Sequence, residues 1–318
     1  MSLVIALPSK GRLKEQTEAW LATCGLRLEM SGGARGYHAS LAGFDGLEVR
    51  LVSAADIAQS LSAGEVHLGV TGEDLLGETV EGALPLLALG FGRADLVVAA
   101  PRSWIDVETM ADLDDVAHDI LARTGKRLRV ATKYGRQARA FFAAHGVADY
   151  RIVDSGGATE GAPAAGAAEL VVDITTTGAT LAANGLKPLA DGLILKSQAR
   201  LAAAPGGAWD EAGMALTRRL LSVFEAAARG RTLARLVWPA DQDRMARDVL
   251  GPLASDSLAA GVALIARADV FTAAERLTAA DVGPVTVEQP AYVFETHCES
   301  ADRLAEAVRR RKDSRTSA

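Results

Sequence analysis

Short apolar runs alternate with segments of helical periodicity through most of this chain. The run at residues 3–7 is followed by Leu13, Trp20 and Leu21 at helical spacing, and Gly25 then stands where a left-handed helix cap is expected. Similar runs predict further strands at residues 66–70, 96–100, 128–132, 150–153, 170–174 and 193–204. Because helices and strands alternate, the pattern predicts βαβ units and mostly parallel sheets, which bind ligands beyond the carboxyl ends of their strands.

Capping signals mark where several of the intervening helices begin. Ser53 with Asp56, and Thr109 with Asp112, have the spacing of a capping box. Further helices are predicted at residues 136–145, 163–168 and 210–229.

The pattern after residue 231 predicts a small α+β appendage. Its predicted strands are residues 233–238, 262–266, 285–288 and 292–296, and its predicted helices are residues 242–250 and 301–310. The basic run from Arg309 to Arg315 is interpreted as a solvated terminus and receives no function.

Composition and charge argue against several classes of function. The net charge of −6 provides no overall basic field, so a nucleic-acid partner has no electrostatic support. Cys24 and Cys298 form no metal-ligand or disulfide pattern, and the five histidines form no paired motif. No apolar stretch approaches the roughly 20 residues of a membrane-spanning helix. The first residues fit a strand and not a leader. We therefore expect a cytoplasmic protein with no membrane partner and no built-in metal.

The strongest candidate for chemistry is the segment Asp173-Ile-Thr-Thr-Thr-Gly-Ala-Thr180, where an apolar strand ends and a short helix follows. Unpaired N–H groups and the positive dipole at a helix start bind phosphate, and threonine hydroxyls add donors. Gly178 lets the backbone approach the anion. Glu169 shares the strand face of Asp173 by alternation, so both carboxylates are candidates for ribose hydroxyls or a Mg²⁺-bound diphosphate. The alternative is that the threonines only cap a helix.

Other polar clusters also follow predicted strands. Lys10 and Arg12 follow the first strand and suit phosphates, although exposed cations on loops are common. The acids of Thr71-Gly72-Glu73-Asp74 either accept hydrogen bonds from a ligand or cap the next helix. The segment Gly90-Phe-Gly-Arg93 supplies two glycines and a cation. The segment Thr132-Lys-Tyr134 supplies a cation and an aromatic face. No serine or cysteine has the surroundings of a covalent nucleophile, so direct displacement between bound substrates is favoured.

Six stretches of this sequence, in this order, resemble the ATP phosphoribosyltransferase family. They are IALPSKGRL at 5–13, LGVTGED at 68–74, LGFGR at 89–93, VATKY at 130–134, VDITTTGATL at 172–181 and SQARL at 197–201. The resemblance implies an α/β fold with a bilobed, periplasmic-binding-protein-like core of two doubly wound domains, plus a small C-terminal α+β domain. Residues 1–94 with 186–210 would form lobe one, 95–185 lobe two, and 211–318 a regulatory or oligomerisation region.

The resemblance also implies a reaction, in which adenine N1 of ATP attacks the anomeric carbon of phosphoribosyl pyrophosphate and Mg²⁺-pyrophosphate leaves. Lys10, Arg12 and Asp173 are the residues expected to act in catalysis. The residues expected to bind substrate are Glu73, Arg93, Lys133, Glu160, Glu169, Thr175, Thr176, Thr177, Gly178, Ala179 and Thr180. Three further partners are left open by the resemblance: L-histidine as an inhibitor, other copies of the chain in a homodimer or hexamer, and a separate regulatory subunit. The rival functions are a non-catalytic bilobed binding protein and a phosphoribosyltransferase with another acceptor.

Overall fold

The computed structural model describes residues 2–30, 38–79, 82–157, 159–254 and 256–316. These residues form two compact units. The larger unit contains Ser2–Trp20, Leu28–Trp209 and the segment from Ala307, and the smaller unit contains Leu21–Arg27 and Asp210–Glu306.

The larger unit is built on two sheets. Its first elements are β1 (Leu3–Pro8), α1 (Gly11–Thr23), β2 (Leu28–Met30), β3 (His38–Leu41), β4 (Leu47–Val52), α2 (Ala54–Ala63), β5 (Leu68–Gly72), α3 (Glu73–Glu78) and β6 (Leu84–Ala88). They are followed by β7 (Ala94–Pro101), α4 (Met110–Thr124), β8 (Leu128–Thr132), α5 (Gly135–Ala144), β9 (Tyr150–Asp154), β10 (Leu170–Thr175), α6 (Ala179–Ala183), β11 (Leu186–Ser197) and β12 (Ala199–Ala203).

The first sheet has the strand order β2-β3-β4-β1-β5-β12-β6. Strand β1 pairs in parallel with β4 and β5, whereas β12 is antiparallel to both β5 and β6. The parallel strands therefore end at one edge, where Pro8, Val52 and Gly72 lead into loops or helices. Val4, Ala6, Ile57, Leu61 and Ala202 form a buried cluster between this sheet and α2.

The second sheet has the order β11-β7-β10-β8-β9. Its parallel strands β8, β9 and β10 end together, so the segments after Thr132, Asp154 and Thr175 share one edge. The core cluster of this sheet contains both Phe142 and Tyr134, which is fully buried. The chain passes from the first sheet to the second between β6 and β7 and returns between β11 and β12.

The smaller unit contains α7 (Glu211–Thr232), β13 (Leu233–Val237), α8 (Asp243–Leu250), β14 (Asp256–Ala259), β15 (Val262–Ala266), α9 (Val270–Ala279), β16 (Thr286–Glu288) and most of α10 (Glu299–Thr316). Its antiparallel sheet has the order β14-β15-β13-β16. This is a split βαβ arrangement, β-α-β-β-α-β in chain order, with Leu236, Ile265 and Leu277 in its buried cluster.

The predicted fold class is confirmed: two doubly wound α/β sheets and a small α+β unit. Both predicted helix starts are confirmed, since the Ser53 and Thr109 side chains accept from the backbone N–H groups of Asp56 and Asp112. The reciprocal bond of a full capping box is formed at Thr109, whereas Asp56 accepts from the Ser53 hydroxyl. The structure adds several elements that the sequence pattern did not predict, among them β2, β3, β4, β6 and α9. β2, β3 and β6 are short, which makes them difficult to recognise from sequence, whereas β4 alternates apolar and polar residues and was missed despite that pattern.

Two predicted elements are wrong. Residues 163–168 form turns and a bend instead of a helix, because Gly166 adopts the left-handed conformation with φ 67°. Residues 292–296 form no strand, and the Val293 N–H donates to the carbonyl of Ala226 in α7. The predicted strand 193–204 is two strands, β11 and β12, which belong to different sheets.

Candidate active site

The loop after β10 is shaped by its own threonines. The Thr175 hydroxyl accepts a hydrogen bond from the Gly178 N–H at 2.8 Å, and the Thr177 hydroxyl accepts from the Ala179 N–H at 3.4 Å, so the loop folds back on itself and a phosphate would have to replace these internal acceptors. Gly178 has φ +75°, and a Cβ built there would meet open space. Backbone conformation, not crowding, therefore requires the glycine, and the space beside it is available to a ligand. Thr177 and Thr180 expose their side chains on the same loop.

Arg12 brings a cation from the first sheet to this loop. Its Nη2 donates to the Thr176 hydroxyl at 3.3 Å, although the two residues are 164 positions apart. Arg12 stands in the first turn of α1, directly beyond the end of β1, and Lys10 immediately precedes that helix. Both side chains are exposed. The structure thus places Arg12 at the threonine loop, as a phosphate site requires.

Asp173 lies within β10, two residues before the strand ends, and is partly buried. Burial raises the pKa of its carboxyl, and the negative charges of Glu160 and Asp74 act in the same direction. The N–H of Ile174 and the charge of Lys133 oppose that rise. These influences require proximity, so Asp173, Glu160 and Lys133 belong to one cluster.

Asp74 is a central residue, although the sequence analysis raised it only as one of two adjacent acids and chose Glu73 as the site residue. It is 6% exposed, and its Oδ2 accepts from the Tyr134 hydroxyl at 2.7 Å. Its Oδ1 accepts from the Ser197 hydroxyl at 2.6 Å. Burial, followed by the charge of Asp74, raises the pKa of Tyr134 far above its ordinary value, so the phenol stays protonated and donates. Three segments, from both sheets, therefore meet at one carboxylate.

Glu73 and Asp74 are adjacent at the end of β5, but they have different environments. Glu73 forms a 2.8 Å ion pair with Arg200 of β12, and its backbone N–H donates to the carbonyl of Gln198. Sequence alone offered no means of distinguishing the two acids, because each one's partners come from distant parts of the chain. The structure assigns Glu73 to the strand end and Asp74 to the buried cluster.

Lys133 extends from the end of β8 and is exposed, with its ammonium 5.0 Å from the centre of the Tyr134 ring. A cavity of about 590 Å³ lies beside it. The cavity lining is mostly apolar and comes from α2 and α3, including Ala58, Leu75 and Thr79. A cation therefore borders an apolar space close to the carboxylate cluster.

Glu169 is not near the threonine loop. It precedes the first residue of β10, and its carboxylate accepts from the Arg129 backbone N–H at 2.6 Å and from Nε at 3.0 Å. Although Glu169 and Asp173 share a face by alternation, four residues of extended chain separate them by about 13 Å. The structure therefore pairs Glu169 with Arg129 and does not bring it to the threonine loop with Arg12. Arg93 is exposed in the segment between β6 and β7.

The described residues were also compared with the requirements of a metal site and of a membrane-spanning helix, and they meet neither. No group of three or more His, Cys, Asp or Glu side chains there is arranged to hold a metal ion. No helix in that part of the chain is long and apolar enough to span a membrane.

The chain crosses twice between two doubly wound sheets, whose strand ends carry the threonine loop, cations and acids. These features define the class of two-lobed α/β proteins, which bind ligands at the ends of their strands. The family model described as HisG, ATP phosphoribosyltransferase, matches residues 53–223. The chain belongs to the ATP phosphoribosyltransferase family, whose members are pentosyltransferases.

Individual relatives agree with this placement. An ATP phosphoribosyltransferase of Caulobacter vibrioides (strain NA1000 / CB15N) is 62% identical over 313 residues, which cover 96% of this chain and 98% of the relative. One from Rhodopseudomonas palustris (strain BisA53) is 56% identical over 230 residues, 71% of each chain. The ATP phosphoribosyl transferase (HisG:HisZ) complex from Thermotoga maritima is similar in structure, with a TM-score of 0.52 and 25% identity over 70% of this chain and 93% of that one.

Proposed function

We propose that this chain joins adenine N1 of ATP to the anomeric carbon of phosphoribosyl pyrophosphate and releases pyrophosphate, the first step of histidine biosynthesis. The observation that carries the proposal is the 3.3 Å contact between Arg12 and Thr176, which brings a cation to a phosphate-type loop beside Asp173. In the reaction N1 forms a bond to the sugar carbon while the bond from that carbon to pyrophosphate breaks. The electron pair of the broken bond leaves with pyrophosphate, and the configuration inverts.

The threonine loop is our candidate for the 5′-phosphate of the sugar. Thr175, Thr176, Thr177, Gly178, Ala179 and Thr180 supply backbone N–H groups and hydroxyls, which bind phosphate well. Asp173, on the strand that leads into the loop, is positioned to accept from the ribose hydroxyls. Its carboxylate also stabilises positive charge that develops at the anomeric carbon as pyrophosphate departs.

Lys10 and Arg12 are our candidates for the departing diphosphate. Arginine offers a planar fork to phosphate oxygens, and lysine a mobile charge, so together they stabilise the negative charge of the leaving group. We assign Mg²⁺ to the diphosphate of the substrate, because clustered anionic oxygens are the ligands that this hard cation prefers. Glu160 and Lys133 complete this proposed site. Glu73, which its ion pair with Arg200 holds at the strand end, is our candidate for hydrogen bonds from ATP.

The cavity between α2 and α3 is our candidate for the adenine ring. Its apolar lining, which includes Leu75, favours a flat heterocycle. Binding ATP here and the sugar at the threonine loop would place the two reactants close together, and orientation of this kind supplies a large part of the rate enhancement.

We further propose that residues 1–94 with 186–210 form one catalytic lobe and residues 95–185 the other. Residues 211–318 would then form a regulatory or oligomerisation region. The split βαβ sheet of the smaller unit is a self-contained domain of the kind that regulatory modules use, and this supports the assignment. L-histidine, the end product of the pathway, is the effector that we expect. A homodimer or hexamer is the assembly that we expect.

The test is an absorbance assay for phosphoribosyl-ATP with purified protein, ATP, phosphoribosyl pyrophosphate and Mg²⁺, with and without L-histidine. Product formation supports the proposed reaction, and inhibition by L-histidine supports a regulatory smaller unit. If no product forms, calorimetric titration with each substrate separates the rivals. Binding without turnover favours a missing partner subunit or a binding protein, and turnover with another base favours a different acceptor.

A further inference from the structure

Asp74 is a buried carboxylate whose oxygens are both bonded to hydroxyl groups. Tyr134 donates to Oδ2 at 2.7 Å and Ser197 to Oδ1 at 2.6 Å, and the Ser197 oxygen also accepts from the Asp74 backbone N–H at 3.1 Å. The Asp74 carbonyl accepts from Gln137 Nε2 at 2.8 Å. Burying a carboxylate is costly unless its bonds are specific, so this arrangement strongly constrains the groups that make them.

Tyr134 contacts both the Asp74 carboxylate and the Lys133 ammonium. Its ring is fully buried, its hydroxyl is bonded to Asp74, and its backbone N–H donates to the Thr132 hydroxyl at 2.9 Å, so both the side chain and the main chain of Tyr134 are held. The Lys133 ammonium lies 5.0 Å from the ring centre, within the range of a cation–π contact. Lys133 itself is exposed, and the ring face is a contact that limits where its long side chain lies.

We propose that Asp74 is a positioning residue for the sugar substrate, which acts through Tyr134 to hold the Lys133 ammonium beside Asp173 and the threonine loop. The carboxylate orients the phenol, and the phenol face orients the ammonium, which meets a phosphate group of phosphoribosyl pyrophosphate. Asp74 itself does not touch the reacting atoms. The inference rests on the proposed function, since it assigns Lys133 to that substrate.

Two double-mutant cycles test the two links. Tyr134→Phe removes the bond between carboxylate and phenol. Asp74→Asn removes the negative charge and leaves one acceptor oxygen for the two hydroxyls that the carboxylate accepts from. Lys133→Met removes the positive charge but keeps much of the side chain. We expect Asp74→Asn and Tyr134→Phe each to raise KM for phosphoribosyl pyrophosphate about tenfold, the scale of a coupled hydrogen-bond network. KM for ATP and kcat should change far less. Combining the two substitutions should add little to either one alone.

The second cycle combines Asp74→Asn with Lys133→Met. If Asp74 acts through Lys133, KM for phosphoribosyl pyrophosphate in the double variant equals that of Lys133→Met alone. Asp112→Asn is the matched control, because Asp112 is a hydrogen-bonded carboxylate at the start of α4 with no such path to Lys133. It should lower the melting temperature and leave both KM values unchanged.

The outcomes are distinct. Effects of Asp74→Asn and Lys133→Met that multiply independently would overturn the inference, as would a loss confined to kcat. Tyr134→Phe keeps the ring and gives the same test if Asp74→Asn does not fold. Failure of the wild-type protein to make phosphoribosyl-ATP would instead count against the proposed function itself.

Discussion

Glu78 and Arg136 cap each other's helices between the two sheets of the larger unit. The Glu78 carboxylate, at the end of α3, accepts from the backbone N–H groups of Arg136 at 2.6 Å and Gln137 at 3.2 Å, at the start of α5. In return, Arg136 Nη1 donates to the carbonyl of Gly77 at 2.6 Å. A negative side chain thus lies at a helix start and a positive one at a helix end, the arrangement that the helix dipoles favour.

This reciprocal contact should contribute to stability. We expect Glu78→Ala to lower the free energy of unfolding by about 1 kcal/mol, the typical cost of a lost helix cap. Chemical denaturation of the full-length protein measures it. Asp119→Ala is the control, because Asp119 makes only an exposed pair with Arg123 on α4 and should cost less than about 0.5 kcal/mol. Equal losses in the two variants would contradict a special role for the cap.

Asp173→Asn should abolish turnover without weakening the fold. Because burial raises the pKa of Asp173, the folded state favours the protonated form, so the stability it contributes is greatest at low pH and is lost as pH rises through the folded pKa. At neutral pH a neutral amide of the same shape is therefore tolerated, and the melting temperature should be unchanged or higher. Activity assays and thermal melts of the same preparation check both parts, and wild-type turnover in this variant would refute the assignment of Asp173.

Gly178→Ala should impair both the threonine loop and binding of the sugar substrate. An alanine at φ +75° costs about 1–2 kcal/mol, and its Cβ enters the space that we assign to the phosphate. We expect a higher KM for phosphoribosyl pyrophosphate. Gly125→Ala is matched, since Gly125 has φ +66° and equally open surroundings but ends α4. Gly125→Ala should lose similar stability and leave KM for phosphoribosyl pyrophosphate unchanged. If the two variants have the same KM for phosphoribosyl pyrophosphate, the loop does not hold its phosphate.

Glu169→Gln should affect stability and leave catalysis alone. Burial acts to raise the pKa of Glu169, but the hydrogen bonds and charge of Arg129 outweigh it and the pKa is lowered. The carboxylate therefore stabilises the fold above its ordinary pKa of 4.5, and that contribution is lost as pH falls through the lower folded value. We expect a loss of about 1–2 kcal/mol near neutral pH that shrinks in acid, measured by denaturation at several pH values. A large drop in kcat/KM would return Glu169 to the site.

Local patterns were sufficient for much of the fold because they depend on neighbours in sequence. The helix caps at Ser53 and Thr109 were recognisable from spacing alone, since the side chain and the N–H group that it accepts from lie three residues apart. The prediction of a strand at residues 292–296 is wrong for the opposite reason, because the Val293 N–H bonds to the carbonyl of Ala226, in a helix far away in sequence. The boundary between β11 and β12 also depended on which sheet each half joined.

The sequence by itself determined the alternating α/β architecture, the threonine loop and the family, because periodicity and ordered motifs are properties of the linear chain. Only the tertiary structure decided that Asp74 enters the cluster while Glu73 pairs with Arg200, that Arg12 reaches Thr176, and that Glu169 lies apart from the loop. Those outcomes depend on contacts between residues from about 40 to more than 160 positions apart. Such partners are selected by strand pairing and burial, which no local pattern records.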